Sequence, residues 1–310
     1  MNNRIKCILT LILITNCCFG QFMDYGPGLA YYDFKYYNPA CIQINNKMNF
    51  KLVSINEIKN KDSYYLLEYA SFEKSLIKLK SNIAITAGYF CDRIISEEVV
   101  LYENKNYFGN LFYNYNPLKG FYIGLSASIY SQNDAYEPSF GYFGHVDSLT
   151  EREQLIAGKL SIGLLYKIKN FNFGLFGMNI LNLFNTDGKG FINNIHPKII
   201  GISSSYKFGS NKLSNIFALN FFIPYSYYSS ANRLNIQIKD ILLMKNNFEV
   251  GLHGNLAGIF SDRTLGLSLS KYFYNNHFLI CVGYDRYLGT STFFMPQTHK
   301  SYSIILNYFY

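Results

Sequence analysis

The amino-acid sequence predicts an all-β protein, a transmembrane up-and-down antiparallel β-barrel of about 14 strands of the outer-membrane type. Three observations lead to this prediction. They are a secretory signal at the start, segments that alternate apolar and polar residues, and links that alternate between short and long. The closing segment, residues 300–310, puts Tyr302, Ile304, Leu306 and Tyr308 on one face and ends on an aromatic residue. Outer-membrane barrels close on such a strand, although the segment alone also fits an edge strand of a soluble sandwich.

The first twenty residues have the form of a secretory signal peptide. A basic start with Arg4 and Lys6 precedes an apolar run that is too short to span a bilayer, and cleavage is expected between Gly20 and Gln21. We therefore divide the chain into a signal peptide (1–20), an N-terminal periplasmic or plug segment (21–45) and an outer-membrane β-barrel (46–310). The predicted location is the bacterial cell outer membrane.

The composition favours a membrane barrel over a soluble sheet protein. The chain is 18% aromatic, with 29 Tyr and 27 Phe, and only 15% charged. Its mean hydropathy of +0.00 is the average expected when one face of each strand meets lipid and the other meets water. A soluble sandwich normally carries more surface charge. With no Trp in the chain, Tyr and Phe must supply both aromatic girdles. The formal charge of +8 is spread along the chain, which argues against a nucleic-acid-binding face.

Alternation with a period of two residues marks the individual strands. The clearest strands span residues 47–57, 121–130, 159–168, 248–255 and 264–272. Weaker candidates span residues 64–74, 82–92, 107–116, 171–180, 198–208, 215–223, 233–243 and 277–287. Together with the closing strand these segments make 14, an even number.

The links between these segments support an up-and-down barrel independently. Tight links at 117–120, 169–170, 209–214, 245–246 and 274–276 alternate with longer ones at 93–106, 131–158, 181–197, 224–232 and 288–299. Short periplasmic turns and longer outer loops alternate in this way, whereas a Greek-key sandwich does not. Residues 147–158 carry charges at helical spacing, so this part of the longest loop is either solvated chain or a short helix that acts as a lid or a cargo contact.

Five segments, in order along the chain, resemble motifs of the PorP/SprF family. They are DFKYYNPACIQ (33–43), HPKIIGISSSYKF (196–208), RLNIQIKDILLMKNNFEVGLHGN (233–255), VGYDRYLG (282–289) and THKSYSIILNYFY (298–310). These segments cover nearly the whole mature chain, and the first holds the Asn-Pro-Ala stretch with which mature family members open. The chain departs from the family pattern at Lys198, at Lys300 and after Ala40, where the pattern has Arg, Glu and Gly.

The resemblance implies a role in the type IX secretion and gliding machinery of Bacteroidetes. Proteins of this family are outer-membrane barrels that bind, anchor or escort a secreted surface adhesin or its C-terminal signal domain. The expected partners are therefore a secreted cargo protein, other type IX secretion components and outer-membrane lipid, with no nucleic acid and no small-molecule substrate. The alternative function is a general porin or a hydrophobic-solute channel, which requires an open or switchable lumen.

The sequence predicts no catalytic, cofactor-binding or metal-binding residues. The histidines lie far apart, and His253 shares a strand face with Glu249, where a solvated lumen pair explains both. Asp285 is likewise explained as a lumen-facing polar residue. Outer-membrane phospholipases and proteases are also barrels, but the chain has no GxSxG and no paired acid motif, so we expect no enzyme activity. Three cysteines remain after cleavage (Cys41, Cys91 and Cys281), and they imply no disulfide framework.

Overall fold

A computed structural model describes residues 35, 37–42, 48–58, 64–96, 99–136, 150–151, 155–186, 198–209, 213–225, 235–244, 248–257, 264–274, 277–287 and 300–310. The predicted signal peptide lies outside the described residues. Within them, helical structure is limited to short 3-10 turns such as Pro39–Cys41 and Ile77–Leu79. No helix in these ranges is long and apolar enough to cross a membrane.

The described chain forms a closed antiparallel barrel of fourteen long strands, with one additional strand of two residues. The strands are β1 Met48–Ile58, β2 Tyr64–Leu76, β3 Ser81–Ser96, β4 Val99–Leu118, β5 Phe121–Tyr136, β6 Thr150–Glu151, β7 Leu155–Ile168, β8 Phe171–Asn185, β9 Lys198–Gly209, β10 Leu213–Tyr225, β11 Asn235–Met244, β12 Phe248–Ala257, β13 Thr264–Phe273, β14 Phe278–Tyr287 and β15 Lys300–Phe309. Each long strand pairs with the next along the chain, and the short β6 extends the far end of β5. The predicted fold class and all fourteen predicted strands are confirmed.

The first and last strands close the wall. Their register runs from Asn49 opposite Phe309 to Ile58 opposite Lys300. At the end of this seam Met48 and Tyr310 exchange two backbone hydrogen bonds, of 3.1 and 3.0 Å. The closing strand is therefore paired with the first strand along its whole length.

Each strand presents one face to lipid and one to the lumen. On β15 the side chains of Tyr302, Ile304 and Tyr308 are exposed, whereas the intervening Ser303 and Ile305 are buried. The same alternation continues around the wall, because neighbouring strands pair in a register that keeps like faces together. β-branched and aromatic residues suit this arrangement, since they pack well on a pleated surface with one apolar face. The outer surface is consequently an apolar band, as in other transmembrane barrels.

The tight turns that follow β2, β4, β7 and β13 lie at the end of the barrel that also holds Met48 and Tyr310. Lys80, Lys169 and Tyr274 take positive φ angles of 48°, 50° and 50° there, which lets the chain reverse within few residues. Short turns mark the periplasmic end of an outer-membrane barrel. We therefore refer to this end as the periplasmic mouth.

The strands of the first half extend further toward the outside than the sequence pattern indicated. β3 runs to Ser96 and β4 begins at Val99, so the predicted long link 93–106 is wrong. The links at 131–158 and 181–197 are likewise shortened, because β5 continues to Tyr136 and β8 to Asn185. Beyond the lipid band both strand faces can be polar, and the apolar–polar alternation used to mark strands disappears.

The helix considered for residues 147–158 is also wrong where the structure describes this loop. Thr150–Glu151 and the first residues of β7, from Leu155, are strands. The charges in this segment have helical spacing, but pairing with β5 provides backbone partners that an isolated turn of helix in water lacks.

Candidate functional site in the barrel lumen

A short N-terminal segment, consisting of Lys35 and residues 37–42, lies inside the barrel, and we call it the plug. It contacts β4, β5 and β7 from the lumen side. The Asn38 side chain accepts a hydrogen bond from the Ala40 N–H (3.0 Å) and so caps the 3-10 turn Pro39–Cys41. Pro39 stands at the first position of the turn, where its fixed φ and missing N–H cost nothing. Asn38 and Ala40 are completely buried.

Three glycines form the surface on which this turn rests, and we call them the glycine seat. Gly124 on β5 pairs with Gly163 on β7, and Gly174 follows on β8. A Cβ atom at Gly124 would overlap the backbone of Ala40, and one at Gly163 would overlap the Asn38 side chain. A Cβ at Gly174 would lie 2.8 Å from the amide nitrogen of Asn38. The plug can therefore approach the barrel backbone because these positions lack side chains.

Hydrogen bonds join the plug to the wall in both directions. Asn38 Nδ2 donates to the carbonyls of Leu164 (3.1 Å) and Leu175 (3.4 Å). Two asparagines of the wall donate to carbonyls of the plug: Asn114 to Ala40 (2.6 Å) and Asn82 to Ile42 (3.4 Å). Buried backbone carbonyls without partners are costly, so these bonds fix where the plug lies.

An ion pair holds the N-terminal end of the plug. Lys35 Nζ is paired with the Glu73 carboxylate of β2 and donates to Ser71 Oγ at 2.6 Å. Asn49 on β1 donates to the second oxygen of Glu73 at 3.0 Å. All four groups are buried, and a buried pair of this kind is strongly destabilised when one partner is removed.

Two apolar clusters lie in the lumen beside the plug, among buried polar side chains such as those of Asn110, Ser128 and Gln132. One cluster, which we call the β1–β4 cluster, contains Ile42 of the plug with Val53, Ile55, Leu67, Tyr69, Ala84, Phe90, Phe112, Cys281 and Ile305. The second, the β8–β10 cluster, contains Tyr37 of the plug with Phe176, Met178, Ile199 and Phe222. The Tyr37 ring lies 5.5 Å from the Phe222 ring and 6.2 Å from that of Phe176. Porin lumens are polar, whereas this lumen holds two apolar clusters among its polar side chains.

A His–Asp pair lies on the lumen face of β12 and β14. His253 Nε2 and Asp285 Oδ1 are in contact and almost fully buried. Gly266 of β13 is paired in register with both residues, and a Cβ there would overlap both side chains. The sequence suggested a pairing of His253 with Glu249 of its own strand. The structure instead pairs it with Asp285, which lies two strands away.

Of the remaining histidines, the structure describes His277, which lies apart from this pair. His277 lies in the exposed turn before β14, where its Nδ1 is 2.9 Å from the Phe309 carbonyl. His145, His196 and His299 lie outside the described residues. Among the described residues, no three His, Cys, Asp or Glu side chains come close enough to hold a metal ion. The predictions of no catalytic, cofactor-binding or metal-binding residues stay predictions.

The wall is irregular beside the β8–β10 cluster. Asn179 on β8 is fully buried and takes a left-handed φ of 53°. Between Gly177 and Leu181 the register with β7 shifts, and the Asn179 N–H donates to Ser161 Oγ at 2.9 Å instead of to a neighbouring strand carbonyl. Such a bulge bends the strand and re-aims its side chains, as bulges at functional positions commonly do.

Comparisons with known proteins are informative at the level of fold. No protein-family model and no curated protein sequence matches the chain. Among solved structures it is similar to a FadL homologue of Pseudomonas aeruginosa, with 9% identity and a TM-score of 0.59 over 94% of this chain and 96% of that one. It is also similar to the P. putida toluene transporter TodX, with 10% identity and a TM-score of 0.55 over 92% of this chain and 94% of that one. The protein has a closed barrel, an outer apolar band and these structural neighbours, and it is therefore a bacterial outer-membrane β-barrel.

Proposed function

We propose that this protein is a plugged outer-membrane channel for a hydrophobic small molecule. The observation that carries the proposal is the pair of apolar clusters in the lumen, the β1–β4 cluster and the β8–β10 cluster, which include Ile42 and Tyr37 of the plug. Apolar lining with a few placed polar groups is typical of sites for apolar solutes. TodX is described as a monoaromatic hydrocarbon channel, and its shared fold makes this solute class a reasonable first choice.

The proposed channel is closed in its resting state. The plug is held by an ion pair, by amide hydrogen bonds and by apolar contacts, so passage requires it to shift or to leave a gap beside it. We expect the intact protein to show no stable ion conductance in planar bilayers. A protein lacking residues 37–42 should conduct ions if the barrel still folds. A large, stable, ion-selective pore formed by the intact protein would contradict the plugged channel and indicate a general porin.

Uptake of a radiolabelled aromatic hydrocarbon by cells tests the solute class. Expression in a host that lacks its own hydrocarbon channel should raise the initial uptake rate severalfold. Replacing Leu67 and Phe90 by Asn should return uptake to background, because both side chains belong to the apolar lining. The control is Ser126→Ala, since Ser126 is a buried lumen-facing residue whose change keeps the lining apolar. Equal uptake by the Asn variant and the control would contradict the proposal.

The second candidate is the secretion component that the PorP/SprF resemblance implies. One observation favours it: the Asn-Pro-Ala stretch that carries the resemblance forms the centre of the plug, and Asn38 and Ala40 make its main hydrogen bonds. A barrel that binds or anchors cargo through its loops and rim needs no open lumen. Affinity capture of the protein from membranes, with identification of the co-purifying proteins, tests this candidate. Repeated recovery of one secreted adhesin, together with its loss from the cell surface on gene deletion, would favour this function over the channel.

A further inference from the structure

Two periplasmic turns enclose a pocket whose lining includes no residue of the plug or of the glycine seat. The turn between β2 and β3, which contains Ile77–Leu79, lies beside the turn between β4 and β5. The Asn116 N–H donates to the Lys80 carbonyl at 2.8 Å and joins the two turns. Between them is a cavity of about 410 Å³, which we call the mouth pocket. Its volume is within the range of small-molecule sites.

The lining of the mouth pocket is cationic on one side and apolar on another. Lys80 and Lys119 are both exposed and both line it. Ile77 and Leu118 line it as well, and their side chains are 71% and 68% exposed. No carboxylate is among the lining residues. Two lysines that face a shared concave space next to exposed aliphatic groups suit a ligand with an anionic group and an apolar part.

A buried hydroxyl in the same pocket has no partner. Ser81 is 1% exposed, lines the cavity, and its Oγ makes no hydrogen bond within the described structure. Buried hydroxyl groups almost always have a partner, because desolvation without one is costly. An acceptor bound in the mouth pocket would provide this partner. An anionic oxygen suits the position best, since the neighbouring lysines favour negative charge.

The charges around the periplasmic mouth do not compete for these lysines. The described exposed side chains that are charged at this end are all basic: Lys74, Lys78, Lys80, Lys119, Lys169, Lys207 and Lys271. The carboxylates nearest to this end, Glu73 and Glu249, lie on the lumen faces of β2 and β12, and Glu73 is already paired with Lys35. Without acidic neighbours the mouth has a positive potential that attracts anions from the periplasm or from the inner leaflet.

We propose that the mouth pocket binds the anionic head of an amphiphile, a carboxylate or phosphate carried on an acyl or alkyl chain. Lys80 and Lys119 neutralise the charge, Ser81 donates a hydrogen bond to it, and Ile77 and Leu118 contact the first carbons of the chain. Asn82, which also lines the pocket, donates to the plug carbonyl of Ile42, so an occupied pocket lies next to the end of the plug. The site does not depend on the proposed channel function, because none of its lining residues belongs to the β1–β4 cluster or the β8–β10 cluster.

The absence of Trp from the chain permits a direct binding experiment. The full-length Leu118→Trp protein in lipid nanodiscs carries a single tryptophan at the pocket, and 11-bromoundecanoate quenches it on binding. We expect saturable quenching that the Lys80→Gln/Lys119→Gln protein weakens at least about tenfold, because charge-assisted hydrogen bonds are lost. Ser81→Ala should weaken it by about 3- to 10-fold. Tyr122→Trp is a second reporter in the same lining, for use if Leu118→Trp does not fold.

The matched control removes the same charge elsewhere on the mouth. Lys78→Gln/Lys169→Gln alters two exposed turn lysines that do not line the pocket, and it should leave the affinity unchanged. Equal weakening by both double variants, or quenching that does not saturate, would overturn the proposal, since a diffuse surface potential or bilayer partitioning would explain the signal. Uncharged 1-bromoundecane should quench weakly and without saturation, and saturation at the same concentration would also overturn it.

Competition distinguishes the two sources of the anionic head. If dihexanoyl phosphatidylglycerol displaces the quencher at a lower concentration than undecanoate does, the site is assigned to a phospholipid of the inner leaflet. The reverse order assigns it to a free carboxylate amphiphile. Displacement by inorganic phosphate alone, at the same concentration as either amphiphile, would show that the chain contributes nothing and would overturn the amphiphile assignment.

Discussion

The backbone of Gly163 on β7 lies directly against the Asn38 side chain of the plug, so closely that a Cβ atom at position 163 would overlap Asn38 Oδ1. The same Asn38 amide donates hydrogen bonds to the carbonyls of Leu164 and Leu175. One asparagine thus joins the plug to two neighbouring strands. Gly163 permits this contact because it has no side chain. The glycine seat and the plug can therefore be tested by separate substitutions.

We expect Gly163→Ala to unseat the plug and to make Cys41 reactive. Cys41 is partly buried, and this desolvation raises the pKa of its thiol to about 12, so little thiolate forms at pH 8 while the plug is seated. Release into water returns the pKa toward its ordinary value and increases the reactive fraction. Alkylation of Cys41 by iodoacetamide at pH 8, followed by mass spectrometry, should be at least about tenfold faster in the variant.

Gly109→Ala is the matched control for this experiment. Gly109 lies on β4, and a Cβ added there would meet no heavy atom within 4 Å. Its Cys41 alkylation rate should equal that of the unmodified protein. Equal rates in the Gly163 and Gly109 variants would mean that the glycine seat does not hold the plug.

Asn114→Ala should destabilise the folded barrel by about 1–3 kcal/mol, because the buried carbonyl of Ala40 loses its 2.6 Å hydrogen bond and remains without water. Urea unfolding in lipid vesicles, followed by tyrosine fluorescence, measures the change. Asn170→Ala is the control, since Asn170 lies in the exposed turn between β7 and β8. A midpoint of unfolding that is the same in both variants would show that the plug contributes no stability.

Gly266→Ala should separate the His253–Asp285 pair, because the new methyl group would occupy the space in which the two side chains meet. Burying the two groups apart from each other is costly, and we expect a loss of about 1–3 kcal/mol in the free energy of unfolding. Ser268→Ala alters the next lumen-facing residue of the same strand and should cost less. The prediction is contradicted if the Ser268 variant is as destabilised as the Gly266 variant.

Removal of Phe309 and Tyr310 should prevent insertion into the outer membrane. The truncation deletes both backbone hydrogen bonds between Tyr310 and Met48, and the bond from the Phe309 N–H to the His277 carbonyl (2.7 Å). The barrel would then have an open seam at the periplasmic mouth. Fractionation of the outer membrane, with heat-dependent migration on gels, reports insertion and folding. Tyr310→Phe retains the ring and the backbone and should insert normally. Normal insertion of the truncated chain would refute this prediction.

The strands and the closure of the barrel were predictable because they depend on local patterns. The alternation around Tyr302, Ile304 and Tyr308 identifies the lipid-facing side of β15 without any knowledge of its neighbours. The same reasoning missed the outer ends of β3, β4, β5 and β8, where no apolar face is required. It also gave no sign of the bulge at Asn179, since a single buried Asn in an apolar segment has several explanations.

The contacts of the lumen could not be predicted from the sequence alone. His253 and Asp285 are 32 residues apart, and Lys35 and Glu73 are 38 residues apart. Their proximity depends on the strand register and on which direction each side chain takes within a closed ring. The glycine seat does leave a signal, because Gly124, Gly163 and Gly174 interrupt otherwise regular strands, and isolated glycines in strands often mark a close backbone approach.

The position of the plug links its packing to the closure of the barrel. The plug precedes β1 in the chain, and β1 becomes paired on its second side only when β15, the last strand, docks against it. Ile42 of the plug belongs to the same buried cluster as Ile305 of β15, so the packing around the plug is complete only when the last strand is in place. The strand that closes the wall thus also covers the segment inside it, and we expect a defect in the final seam to loosen the plug as well.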